Sequence, residues 1–223
     1  PGPEDQLRQQ AFSQTTEYEL RLQALYLRHA QKFDPLSGLT NARIEPDPHQ
    51  LYVANGVVNK RQARMILADE VGLGKTIEAA LVFAELKARG LVKRALIIVP
   101  ASLQVQWQTE LSNKFNEEFT IIDANSVGHF SRGSTNPFQA VDLAICSLAF
   151  ATRTKRREQI VEADWDFLVF DEAHRVRRYR RGKGATATKA YELAEELEPL
   201  TPAILMLTAT PMQLHPFELY SLL

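Results

Sequence analysis

The sequence predicts a doubly wound α/β domain built on a parallel sheet, and three observations carry that expectation. From about Pro48 onward, short apolar runs alternate with helical patterns. Runs such as Leu96-Ile97-Ile98-Val99 and Phe167-Leu168-Val169-Phe170 show no polar alternation, as in strands covered on both faces by helices. With 223 residues, 45% hydrophobic and 24% charged, the chain suits one sizeable domain with a real core plus an appendage.

The appendage comes first. Thr16-Glu17-Tyr18-Glu19 fits a capping box, and Tyr18, Leu22, Leu25 and His29 follow at helical spacing, so a helix is expected from about residue 16 to Phe33. Asp34-Pro35 and Ser37-Gly38 end it, and a proline-punctuated connection reaches Glu45-Pro46-Asp47-Pro48. Residues 1–45 are therefore expected to form an N-terminal helical arm and connection, and residues 46–223 the main domain. Strands are expected at Met65 to Ala68, Ala95 to Val99, Phe119 to Ile122, Val141 to Cys146, Phe167 to Phe170 and Ile204 to Leu207, with an amphipathic helix from Thr76 to about Arg89.

Composition narrows the classes. A formal net charge of -1 leaves any nucleic-acid contact to a local basic patch. The single cysteine, Cys146, excludes an intramolecular disulfide and a cysteine-built zinc site, and its place in an apolar run predicts a packed core thiol. No apolar stretch approaches the roughly 20 residues that span a bilayer. The N-terminus lacks the basic and apolar regions of a signal peptide, so a cytoplasmic protein with no membrane partner is expected.

The most informative segment is Ala68-Asp69-Glu70-Val71-Gly72-Leu73-Gly74-Lys75-Thr76, between an apolar strand and a helix. The N–H groups of such a turn point at phosphates, and the helix N-terminus adds partial positive charge. Residues Asp69 to Thr76 are the candidate ATP loop, with Lys75 reaching the β- and γ-phosphates and the Thr76 hydroxyl taking Mg2+. Asp69 stands where the usual pattern has glycine, five residues before Gly74. Asp171-Glu172-Ala173-His174 follows an apolar strand 96 residues after Lys75. Asp171 is the candidate Mg2+ ligand, and Glu172 is placed to orient or deprotonate the attacking water.

Two basic clusters stand out, at 153–157 and 175–183. The second holds Arg177, Arg178, Arg180 and Arg181 and is loosened by Gly182 and Gly184, so a mobile loop that contacts nucleic-acid phosphates is favoured over a plain solvated face. Trp107 is expected to pack in the core rather than to serve as a stacking platform. No metal-ligand spacing surrounds His49, which is taken as a structural neighbour.

A loop of the form Asp-Glu-x-Gly-x-Gly-Lys-Thr, followed in order by Pro100 to Trp107, Asp171 to His174 and Leu207-Thr208-Ala209-Thr210-Pro211, resembles the first RecA-like lobe of the Swi/Snf-type superfamily 2 helicases and translocases. The resemblance covers about Pro48 to Leu223. Pro48-His49-Gln50-Leu51 and the wording of the phosphate loop are most similar to the bacterial branch, which includes an RNA-polymerase-associated translocase and helicase-like proteins of phage defence. The family implies a P-loop ATPase fold, ATP and Mg2+ as cofactors, and duplex DNA as the favoured partner over RNA. It implies adenine recognition by the amide of Gln50, 24 residues before Gly74, and coupling of the γ-phosphate to the nucleic-acid side through Thr208 and Thr210. Ser102 in the first grip motif and Ser147 in the second become candidate phosphate contacts, and an N-cap role for Ser102 is equally compatible. A second RecA-like lobe bearing arginine fingers is also implied, so this chain is expected to be a fragment with little turnover alone. The arm is left as a candidate protein-docking element, and a non-catalytic partner-binding module is the remaining alternative.

Overall fold

In a computed structural model the described residues are 19–23, 25, 42–60, 62–68, 74–130, 136–181 and 184–210. The chain divides into two compact units, Pro1–Ser37 and Gly38–Leu223. In the first, residues 19–23 and 25 are helical, and the rest of the expected 16–33 helix lies outside the described residues.

In the second unit the strands are β1 (Arg64–Leu67), β2 (Ala95–Val99), β3 (Thr120–Ile121), β4 (Leu143–Ser147), β5 (Phe167–Phe170), β6 (Arg178–Arg181), β7 (Gly184–Ala187) and β8 (Ala203–Leu207). The helices are α1 (Pro48–Val58), α2 (Lys75–Ala88), α3 (Gln104–Phe115), α4 (Val127–Phe130), α5 (Leu148–Ala151), α6 (Thr154–Val161) and α7 (Lys189–Leu197). Six strands form one sheet in the order β1-β8-β5-β2-β4-β3, and every pairing in it is parallel. The predicted β2 and β5 match their observed limits, and β3 shrinks to two residues because it is an edge strand paired only with β4.

Both faces are covered, which is why β2, β5 and β8 are buried along their whole length. One face carries α2, whose Phe83 ring sits 5.7 Å from Phe167 and 5.3 Å edge-on from Phe119. The opposite core gathers Leu96, Ile98, Cys146, Leu168, Phe170 and Met206 from the sheet with Trp165, Tyr191 and Leu193 from the covering segments. Cys146 is fully buried and free, and burial pushes its thiol well above the ordinary range, so it is the core residue expected.

The N-terminal rim of the sheet is occupied by structural bonds. Asp166 accepts the N–H groups of Lys93 and Arg94 at 2.8 and 2.9 Å, and the Arg94 guanidinium donates to the carbonyls of Ala163 and Phe138 and to Asp142 while stacking over Trp165. The C-terminal rim is built differently.

Within the expected loop over 175–183, residues 178–181 form a strand. Arg178–Arg181 pairs antiparallel with Gly184–Ala187, so the basic run is one arm of a hairpin. Thr188 secures its base: the Thr188 N–H donates to the Arg177 carbonyl at 2.9 Å, and the Thr188 hydroxyl accepts from Tyr191 N–H as the N-cap of α7. The glycines and arginines suggested looseness, whereas the register sets Tyr179 opposite Thr186, two residue types that favour strands.

Candidate functional site at the C-terminal edge of the sheet

Parallel pairing puts the C-terminal ends of all the sheet strands on one rim, and the registers keep them nearly level. Leu67 pairs with Leu207, Met206 with Phe170, Phe170 with Ile98, and Val99 with Ser147. The segments entering α2, Asp171, Thr208, the turn after Pro100 and Ser147 therefore share this rim, where ligands bind in such folds. Backbone bonds continue past the strand ends: Asp171 N–H donates to Ile98 O at 2.9 Å, and Thr208 N–H to Leu67 O at 3.0 Å.

Asp69, Glu70, Val71, Gly72 and Leu73 lie outside the described residues. Gly74, the N-cap of α2, adopts φ +86° and ψ 35°, a left-handed conformation open to glycine at little cost. A Cβ at this position would lie 2.5 Å from Gln50 Nε2, so the amide end of Gln50 would have to shift to admit one. Gly74→Ala is expected to add about 1–2 kcal/mol of backbone strain and to displace Gln50, which urea unfolding of the variant would measure. Lys75 and Thr76 begin α2 and are partly exposed on its first turn.

Gln50 is 6% exposed on α1, and its Oε1 accepts the Asp47 N–H at 3.1 Å. It thus braces the start of α1 with one end of its amide while the other end faces Gly74. His49 lies 3.8 Å from the fully buried Glu78 of α2, which ties the same turn of α1 to the helix that Lys75 begins.

Asp171 and Glu172 are in contrasting surroundings. Burial raises the Asp171 carboxyl above its ordinary range, and the neighbouring Glu172 charge adds to the effect. Hydrogen bonds from Trp107 and from the Glu172 backbone, and the positive charge of Lys75, oppose it. Glu172 is the more open group, with 36% of its side chain exposed. Its backbone is left-handed at φ 52° and ψ 48°, a costly conformation for glutamate. The turn is held by Glu172 N–H on Asp171 Oδ1 at 2.8 Å and by Arg175 N–H on Glu172 O at 3.0 Å, and His174 Nδ1 lies 2.9 Å from Glu172 Oε2.

The indole N–H of Trp107 donates to Asp171 Oδ2 at 3.0 Å. Trp107 is buried in the core as expected, but this bond was not legible, because helical periodicity reports burial and not the partner of a polar tip. Thr208 is buried, and its hydroxyl accepts the Thr210 N–H at 3.2 Å, so the two threonines form one turn beside β1.

Of the candidate phosphate contacts, Ser102 is exposed in a 3-10 turn over Ala101–Leu103, and Leu103, not Ser102, is the N-cap of α3. Ser147 is buried and its hydroxyl caps α5 by accepting Phe150 N–H at 3.2 Å, so the capping role considered for Ser102 falls to Ser147. Arg177 donates its Nε–H to the His174 carbonyl, which ties it to the Asp171 turn. The 153–157 cluster is engaged within the chain. Arg153 and Arg156 lie over the Phe150 ring, and Arg157 pairs with Glu192 and Glu196 of α7, an ion pair that holds the Glu196 carboxyl below its ordinary range.

An all-parallel sheet covered by helices on both faces, with a glycine-started helix, an Asp-Glu pair and a threonine turn on its C-terminal rim, defines a RecA-like lobe. Residues 25–223 match the SNF2-related domain, and the chain belongs to that family. It is 40% identical over 213 residues to the RNA polymerase-associated protein RapA of Photobacterium profundum and 39% identical to that of Vibrio vulnificus. Each alignment takes in 95% of this chain, and the chain spans 22% of the length of these curated relatives. Among solved structures, the Sulfolobus solfataricus SWI2/SNF2 ATPase core in complex with dsDNA superposes with a TM-score of 0.64 at 24% identity, covering 82% of this chain and 36% of the other. The Sulfolobus solfataricus SWI2/SNF2 ATPase core domain gives 0.60 at 25% identity, covering 78% and 33%.

Proposed function

We propose that this chain is the ATP-binding lobe of a nucleic-acid-dependent ATPase, an ATP-driven translocase on double-stranded DNA. The observation that carries the reading is that β1, which leads to α2, and β5, which leads to the Asp171-Glu172 turn, end on one rim through their parallel pairing with β8. Family membership supports ATP hydrolysis, and the duplex DNA bound to the Sulfolobus core supports the choice of nucleic acid.

The residues fit a metal-bound nucleotide. Gly74 supplies the left-handed N-cap from which α2 and Lys75 start, and Asp171 is a partly buried carboxylate whose charged form an added cation would favour. Thr76 and Asp171 would hold Mg2+, with Asp171 acting through the water shell. The ion, when bound, neutralises phosphate charge and polarises the phosphoryl group. Asp69 to Gly74 are assigned to the phosphates, and Lys75 would stabilise charge on the β- and γ-oxygens. Glu172, more exposed than Asp171 and fixed by its left-handed turn, orients the attacking water and takes its proton. Gln50 is the proposed adenine contact, since a two-ended amide suits the donor and acceptor edge of the base. The turn of Thr208 and Thr210, bonded to the end of β1, relays the state of the γ-phosphate.

On the nucleic-acid side, Ser102 is exposed for phosphate contact and the arginine hairpin supplies charge, whereas the Ser147 hydroxyl serves mainly as a cap. A second RecA-like lobe completes the site, and its closing and opening on the strand drive movement in the cytoplasm. The association that gives the RapA relatives their name makes RNA polymerase the partner to test first.

ATP turnover of the two-lobe protein, measured with duplex DNA, with RNA and with neither, tests the reading. Stimulation by duplex DNA is expected; stimulation by RNA alone would favour an RNA-remodelling ATPase, and no turnover with any nucleic acid would leave a binding module. Neutralising Arg177, Arg178, Arg180 and Arg181 together is expected to weaken DNA binding. The slope of log affinity against log salt is expected to flatten by about 0.9 for each phosphate no longer neutralised. Unchanged affinity at low salt would return the hairpin to a solvated face.

A further inference from the structure

The chain has two tryptophans, both buried, and they use their single N–H donors differently. Trp165 donates to the backbone carbonyl of Ile160, five residues away, at 2.9 Å. Trp107 donates to Asp171 Oδ2, which lies 64 residues away in sequence and on the functional rim. An indole has one donor and no acceptor, so in its buried position Trp107 has one polar duty, and it is directed to a carboxylate. Bonds to a charged acceptor are shorter and stronger than neutral ones.

The geometry at Asp171 shows the consequence. Oδ2 accepts from Trp107 at 3.0 Å and Oδ1 accepts from the Glu172 N–H at 2.8 Å. The second bond is local and pins the carboxylate to its own turn. The first comes from α3, the helix that follows Ser102, and fixes the rotation of the carboxylate plane from a separate element. A carboxylate has about four lone-pair sites, so two donors orient it while leaving capacity on both oxygens. Loss of a group that orients a metal ligand in this way costs about 10–100-fold in metal affinity.

We infer that Trp107 is a positioning residue for Mg2+: its indole N–H holds Asp171 in the rotation that receives the metal with the nucleotide. The inference rests on the assignment of Asp171 to Mg2+ made above. Its distinctive consequence is selective. Loss of the N–H leaves metal-free nucleotide binding unchanged and raises the Mg2+ concentration needed for tight binding.

The test is calorimetric titration of the chain with ATP across a Mg2+ series and in EDTA. Trp107 is replaced by 3-benzothienylalanine, in which sulfur takes the place of the N–H and the shape is retained, and also by Phe; Asp171→Asn is the reference. Thermal melting by circular dichroism checks that each variant folds, and the shape-matched residue keeps the test open if Trp107→Phe unfolds. The expected result for the benzothienyl variant is ATP affinity in EDTA within about twofold of wild type, with a Mg2+ requirement raised by about 10-fold. Asp171→Asn is expected to raise it further. An unchanged Mg2+ requirement in the Trp107 variants, with Asp171→Asn raised, would overturn the inference and leave the Asp171 assignment standing. An unchanged requirement in Asp171→Asn would overturn both.

Discussion

Glu172→Gln is expected to bind ATP within about twofold of wild type and to lose turnover by about 10²–10⁴ in the two-lobe enzyme, the range attributed to a general base. The split follows from the unequal settings of the two acids. Asp171 is held by two N–H donors, which suits the proposed role of an oriented metal ligand. Glu172 projects from a left-handed turn with a third of its side chain exposed, and its Oε2 lies 2.9 Å from His174 Nδ1. Glutamine keeps the size of the side chain and removes the basic oxygen. Steady-state hydrolysis beside nucleotide binding checks the prediction, and equal turnover in the variant would remove Glu172 from its role.

Lys75→Ala is expected to have an effect of comparable size by a different route. Lys75 opens α2 directly after Gly74, where the helix N-terminus and the ammonium would act on the same proposed phosphate. Removing one preorganised donor from developing charge costs about 10²–10³ in rate, and the loss of ground-state attraction lowers affinity as well. The variant should therefore lose binding and turnover together, unlike Glu172→Gln. Titration with a fluorescent ATP analogue separates the two. Retained affinity in Lys75→Ala would place the polyphosphate elsewhere.

Much of this arrangement was legible in the sequence because the relevant physics is local. β2 and β5 are apolar on both faces, and a strand between two helical layers leaves that pattern without ambiguity. Asp171 directly follows β5 and Lys75 begins the helix that comes after β1, so a common rim for the two strand ends follows once every pairing in the sheet is parallel. Three features were not legible. The bond from Trp107 to Asp171 joins residues 64 apart, and no local pattern encodes it. The arginine hairpin was hidden because charge and glycine suggest a loop, while pairing with Gly184–Ala187 depends on the partner strand. The left-handed backbone at Glu172 carries no glycine to announce it, since surrounding bonds impose the conformation.

Gln50 shows how a single residue serves a structural and a proposed chemical purpose. The family resemblance raised it as a base contact, and the structure adds that it braces Asp47 and lies close to Gly74. Its replacement therefore changes the turn as well as the proposed adenine contact, so binding data on Gln50 variants require a parallel measure of stability.

The most direct test of the central claim is a crystal structure of the chain with Mg2+ and ATPγS. The account predicts phosphates against the turn that ends in Lys75 and Thr76, with Asp171 directed at the shell of the metal. Nucleotide bound away from this rim, or bound there with Asp171 turned from the metal and still held by Trp107, would contradict it.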